Sequence, residues 1–430
     1  MGQSATMIGN ARTIERSIPD MAQRVRQLLQ QTTEMWWAVD DAERLPTGPT
    51  FTHRQQLERE KHLERLLETL TSEAQTPPVD ADERAAARDR LLRAGRAFCR
   101  DAMGIQERHL NVLFSPEFLG GATGFVRATR DFDPGISGED IFQASRNVWT
   151  MYGLQRLMGR PVELTPSVFA YSMLYPYSDN YLDDPTVPAA IKRGFNDRFS
   201  RRLMGRRIEP ANAREEIISR LVGMIEQQHD RAQAPWVYEA LLAIHRAQCR
   251  SMQLLHRRTA PYEVDVLGIS LEKGGTSVLA DGYLVSERPT PEQEMSLFAY
   301  GAFLQLVDDL QDVRGDAKDG LLTVFSHVVG HWPLDALAGR TFGFGRRVLA
   351  TLDCFHGNGS EPLKELMRAS ADWLLVDAVG RSARYMSAHY LHQVEAYSPF
   401  RYTFLARCRR KLARQWPSLA RMIESLVMPS

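Results

Sequence analysis

The chain has 430 residues, enough for one large domain or two ordinary ones with a substantial buried core. Lys and Arg total 53 and Asp and Glu total 53, so no net field draws the chain to nucleic acid or to an anionic membrane. The four cysteines (Cys99, Cys249, Cys354, Cys408) lie far apart and form no Cys-x-x-Cys pair, which argues against a disulfide framework and a zinc site. The sequence contains neither a run of 18 apolar residues nor a signal-peptide pattern, and the expected compartment is the cytosol. The opening Met1-Gly2-Gln3-Ser4-Ala5-Thr6 fits the loose pattern for myristoylation.

In chain order, the first hundred residues are polar and rich in Arg, Glu and Gln, as in Arg54-Gln55-Gln56-Leu57-Glu58-Arg59-Glu60-Lys61. They are expected to form helices layered outside a main bundle, an extension over 1–104 packed on a bundle over 105–430. Thr76-Pro77-Pro78-Val79-Asp80 is the best linker candidate. Apolar residues then recur at three- and four-residue spacing in 137–158, 165–182, 210–229, 233–256, 291–313, 332–353 and 361–392, with no sustained period-two alternation. Breaks fall at Gly159-Arg160-Pro161, Asp184-Pro185, Pro289-Thr290-Pro291 and Gly357-Asn358-Gly359. The predicted fold class is all-α.

Two acidic clusters stand out. In Asp179-Asn180-Tyr181-Leu182-Asp183-Asp184, Asp179 and Asp183 lie one helical turn apart, and Pro185 stops the helix just beyond them. Carboxylates at a helix C-terminus oppose the macrodipole, so their placement calls for a cation. The second cluster, Asp308-Asp309-Leu310-Gln311-Asp312, continues to Asp316, so that Asp308, Asp312 and Asp316 share one face. An exposed face laced with ion pairs would alternate Lys or Arg with these acids, and here all are acidic. Two such helices facing each other across a cavity suit Mg²⁺, which takes a few carboxylates plus waters and phosphate oxygens.

The stretch Glu272-Lys273-Gly274-Gly275-Thr276-Ser277, followed by Tyr300-Gly301-Ala302-Phe303-Leu304-Gln305-Leu306-Val307-Asp308-Asp309-Leu310-Gln311-Asp312, resembles the back half of all-trans isoprenoid synthases. In that family a lysine helix precedes a helix ending in the second Asp-Asp-x-x-Asp motif. In the first cluster the doubled Asp comes last, an order more like that of squalene and phytoene synthases and of bacterial large-terpene synthases of the tetraprenyl-β-curcumene type. Asp308, Asp312 and Asp316 also fall on the Asn/Ser/Glu metal triad of class I terpene synthases. The resemblance covers about 165–320.

That resemblance implies a Mg²⁺-dependent enzyme, with three ions held among Asp179, Asp183, Asp184, Asp308, Asp309, Asp312 and Asp316, and a prenyl diphosphate substrate. Basic groups would complete the diphosphate site, because phosphate oxygens need partners. Lys273 opens what reads as a Gly-Gly-Thr-Ser break, and Arg314 and Lys318 follow the second motif. Arg258, 50 residues before Asp308, and Arg384-Tyr385, 76 residues after it, lie near the positions where terpene synthases contact diphosphate. Lys192-Arg193, Arg250 and Arg401-Tyr402 are weaker candidates. Phe169, Tyr171, Tyr175 and Phe303 are close enough in sequence to the motifs to line a pocket and face a carbocation.

The implied activity is that of a class I terpene synthase, which ionises the substrate and cyclises or rearranges the allylic cation. Chain elongation or head-to-head condensation is the alternative, and an inactive helical partner subunit is another. Elongation needs a Gly-Lys-x-x-Arg stretch near the N-terminus, and none precedes residue 165. A homodimer is compatible with this reading.

Overall fold

The computed structural model describes residues 20–76, 78–184, 186–255 and 263–427, with Asp183 and Val427 described by backbone alone. Among them the chain is helical from end to end. The first helices are α1 (Met21–Trp37), α2 (His53–Gln75), α3 (Ala81–Asp101), α4 (Glu107–Leu113), α5 (Pro116–Phe132) and α6 (Gly138–Leu157). Then come α7 (Pro166–Asp183), α8 (Ala189–Leu203), α9 (Ala213–Gln228), α10 (Pro235–Ser251) and α11 (Val266–Ser286). The last five are α12 (Pro291–Asp319), α13 (Asp335–Ala350), α14 (Glu361–Arg381), α15 (Ala388–Glu395) and α16 (Tyr402–Val427). The sole β feature among the described residues is an isolated bridge between Leu255 and Leu321. The predicted all-α class is the observed one.

Helix ends follow local chemistry. Thr165 caps α7 by accepting from the Val168 N–H at 3.2 Å, and Asp265 caps α11 by accepting from the Gly268 N–H at 2.8 Å. Thr290 and Gln293 form a reciprocal capping box at the start of α12. Gly320, at φ 74°, takes the left-handed conformation that ends α12.

Helix α11 is apolar nearly all round (Ile269, Leu271, Val278, Leu279, Ala280 and Leu284 are buried), so it lies inside the molecule, packed by α1, α6, α7, α10 and α12. Glycines set how closely it meets α12. A Cβ on Gly274 would lie 2.4 Å from the Gly301 carbonyl oxygen, and one on Gly301 would lie 2.1 Å from the Gly274 carbonyl oxygen. Gly275 is covered in the same way by the Phe298 ring. The expected Gly-Gly-Thr-Ser break is therefore corrected: these residues are mid-helix, and the glycines are a helix-to-helix contact.

The first hundred residues divide by packing. Met21, Val25, Leu28 and Trp36 of α1 belong to the main core. Helices α2 and α3 instead pack with α16, around Ala87, Leu419, Met422 and Leu426, in a small cluster of their own. The linker candidate joins α2 to α3.

Candidate active site

Helices α6, α7, α8, α10, α11 and α12 surround a cavity of about 240 Å³. Helix α12 contributes Gln305, Asp308, Asp309, Asp312 and Asp316, which recur at three and four residues along one face. From α7 come Tyr171, Tyr175, Ser178, Asp179 and Leu182, again at helical spacing. Both predicted acidic helices thus face one space, with Lys273 of α11 between them. Leu174, Leu203, Leu241, Ile244 and Phe199 supply apolar wall. The lining thus combines a group of carboxylates with apolar and uncharged polar side chains.

The carboxylates crowd one another. Burial is the main cause raising the Asp309 pKa, to about 7; Asp308 adds to it, while a hydrogen bond from Gln305 and the charge of Lys273 oppose it. Gln305 Nε2 donates to Asp309 Oδ1 at 2.7 Å. Ser270 lies near enough to ease the charge, yet no hydrogen bond of normal geometry reaches Oδ2. Burial followed by repulsion from Asp309, Asp312 and Asp308 pushes Asp316 up to about 8. Asp312 is raised by burial and by Asp308. Arg146 of α6 reaches Asp308 Oδ1 at 3.4 Å, and the charge of Arg381 acts on Asp312.

This donor set fits Mg²⁺: every ligand offered is a hard carboxylate oxygen, the groups repel each other without a cation, and one buried oxygen is orphaned. Asp179, Asp308, Asp309, Asp312 and Asp316 are the residues that would hold it. Among the described residues no three His, Cys, Asp or Glu side chains are already gathered about one point. An ion there would draw the rest of its shell from waters and phosphate oxygens.

Not all the sequence candidates converge here. Asp184 turns away, accepting from the Thr186 N–H at 2.8 Å and hydroxyl at 2.6 Å, and those bonds lower its pKa. Asp183 ends α7, but its side chain lies outside the described residues, as does Arg258 entirely. Arg314 and Lys318 are exposed and do not line the cavity, being about 140° and 180° around α12 from Asp309. Arg384 is exposed on the turn after α14, with its guanidinium 5.0 Å from the ring centre of Tyr385, and neither lines the cavity. Lys192 is buried, Arg250 is paired with Glu272, and Arg401 makes a two-pronged bond to Glu60 at 2.8 and 2.5 Å.

Of the aromatic candidates, Tyr171 and Tyr175 line the cavity. Phe169 and Phe303 are corrected to core positions. Phe169 is two residues from Tyr171, hence on the opposite face of α7, and packs on Phe125 and Phe132 at 5.8 and 5.6 Å. Phe303 is five residues before Asp308, about 140° around α12, and seats on Gly345 and Phe344.

Sequence reasoning passed over polar lining residues on helices without an acidic motif: Asn147 on α6, and His245 and Gln248 on α10. Burial lowers the His245 pKa to about 4, so this imidazole is neutral, while the Gln248 amide is buried with neither polar atom hydrogen-bonded. Polar residues breaking the apolar stripe of a buried helix are the signal that could have found them. No protein-family model matches the chain, and no curated protein matches it in sequence.

The raised carboxyl groups make metal-free stability depend on pH. An unfolded aspartate loses its proton near pH 3.9, whereas Asp309 and Asp316 keep theirs to about 7 and about 8. Between about pH 4 and 8 the folded state holds more protons, so raising the pH costs stability across that window and no more above it. The metal-free melting temperature is expected to fall from pH 5 to 8, and Asp316→Asn to flatten part of that fall. Mg²⁺ with diphosphate is expected to raise it most at the alkaline end, because ligands must be deprotonated. Thermal melts over this range check it; identical slopes in both proteins would refute it.

Proposed function

We propose that this protein is a Mg²⁺-dependent class I terpene synthase, which ionises a prenyl diphosphate and cyclises or rearranges the resulting allylic cation. The observation that carries the reading is a single cavity lined by carboxylates from two helices, a lysine and a set of apolar side chains. Bound Mg²⁺ would neutralise the diphosphate and improve it as a leaving group. Asp179 on α7 and Asp308, Asp312 and Asp316 on α12 would hold the metal–diphosphate assembly from opposite sides. Lys273 would bind the leaving group and strengthen its hold as charge develops there. The apolar wall keeps water from the cation, and the faces of Tyr171 and Tyr175 offer it negative potential.

The purified protein should release inorganic diphosphate from at least one prenyl diphosphate of C10 to C25 chain length in the presence of Mg²⁺ and yield extractable terpenes by mass spectrometry. Release in excess chelator, or none with any chain length, counts against the proposal. Consumption of isopentenyl diphosphate with lengthening of the chain would assign elongation instead.

A further inference from the structure

Behind the inner wall of the cavity, α11 carries a carboxyl group that the ionisation step does not use. Asp281 interrupts the run Val278-Leu279-Ala280-Asp281-Gly282-Tyr283-Leu284 and has 0% exposure. Burial pushes its pKa well above the usual carboxylate range. An apolar residue of similar size would cost less there, so its presence asks for a role.

Its neighbours supply one. Asn147 Nδ2 donates to Asp281 Oδ1 at 3.1 Å and to Ser172 Oγ of α7 at 3.2 Å. A primary amide has two N–H donors, and both are spent away from the cavity. The carbonyl oxygen on the same planar group must point the other way, and Asn147 lines the cavity. Beside it the Tyr171 hydroxyl donates to the Ser277 carbonyl at 3.2 Å, fixing that stretch of wall.

We infer that Asn147 is a further catalytic residue: its side-chain carbonyl oxygen fixes where positive charge rests on the substrate skeleton after ionisation, and Asp281 is the positioning residue that keeps the amide turned that way. The inference rests on the terpene synthase reading above. An oriented dipole aimed at developing charge in a water-poor site needs no reorganisation when the charge arrives. An amide oxygen is also a weak base, so it can face a carbocation without taking its proton, as an ionised carboxylate would. Asp281 lies behind Asn147, where it accepts from the amide nitrogen.

The test compares Asn147→Leu, Asp281→Leu and Asp281→Asn with the wild type on whichever prenyl diphosphate releases diphosphate. Two quantities are read: total diphosphate released and the product spectrum by mass spectrometry. In Asn147→Leu the ratio of the main product to early-terminated products should fall roughly tenfold, the effect of about 1.4 kcal/mol, with total release within a few-fold of wild type. Asp281→Leu should give the same redistribution. Asp281→Asn should restore the wild-type spectrum, because its amide oxygen can still accept from Asn147, and it also guards against a Leu variant that fails to fold. A wild-type spectrum from Asn147→Leu overturns the inference. So does redistribution in Asp281→Asn, which would make the acid proton the working part. A wild type that releases no diphosphate from any chain length removes the terpene synthase reading itself.

Discussion

Alanine at Asp308 is expected to lower turnover by roughly 10²- to 10⁴-fold, several kcal/mol of transition-state stabilisation, while leaving the helical fold in place. The two effects separate because of where the side chain sits. Asp308 is 45% exposed at the cavity, so its removal opens no void in the core. It also raises the pKa of Asp309, Asp312 and Asp316 by repulsion, so the metal-free variant should melt no lower than wild type. Lost activity with unchanged or improved stability marks a group kept for function. Asp179→Ala, on the facing helix, should lose turnover similarly, because ligands of a shared cluster act as a unit. Turnover assays across a Mg²⁺ titration, paired with melting curves, decide the matter. Wild-type rates in either variant would remove the metal role.

Sequence periodicity was enough to read α6, α7, α9, α10, α12, α13 and α14, because an apolar stripe every three or four residues has no other stable use in a chain without period-two alternation; the buried α11, apolar nearly all round, shows no such stripe. The two acidic helices were legible for the same reason: helical spacing puts Asp308, Asp312 and Asp316 on one face before any packing is known. What the sequence hid depends on neighbours. Gly274-Gly275 reads locally as a breaker, and only the approach of Gly301 shows that the glycines are there to admit another backbone. Phe169 and Phe303 lie near the motifs along the chain but are turned away by helix geometry, so proximity in sequence was the wrong measure. Asn147, His245 and Gln248 break apolar stripes, a local mark of a polar site, but their helices carry no acidic motif and only packing brings them to the same cavity. Arg384 matched an expected distance along the chain, yet the turn after α14 leaves it exposed beside Tyr385.

Alanine at Gly301 should be among the most damaging single-methyl changes in the molecule. The added carbon would lie 2.1 Å from the Gly274 carbonyl oxygen and 3.0 Å from the Val278 side chain. A backbone atom cannot swing aside as a side chain can, so α11 and α12 would have to separate. Overpacking of this kind costs roughly 1–3 kcal/mol and sometimes more. Lys273 adjoins Gly274 on α11 and its charge acts on Asp309 of α12, so the same displacement moves one relative to the other, and a shift of about 1 Å in a positioning group costs on the order of 10²-fold in rate. A lower melting temperature and reduced turnover are therefore expected together, unlike the separation expected at Asp308. Gly120 is the internal control: it lies in α5, is exposed, and an added Cβ meets nothing within 4 Å. Alanine there should stabilise by about 0.4–1 kcal/mol through the unfolded chain and leave turnover unchanged. Thermal melts of the two variants side by side test the claim. If Gly301→Ala melts with the wild type while Gly120→Ala rises, the close crossing of α11 and α12 is not what holds Lys273 in the site.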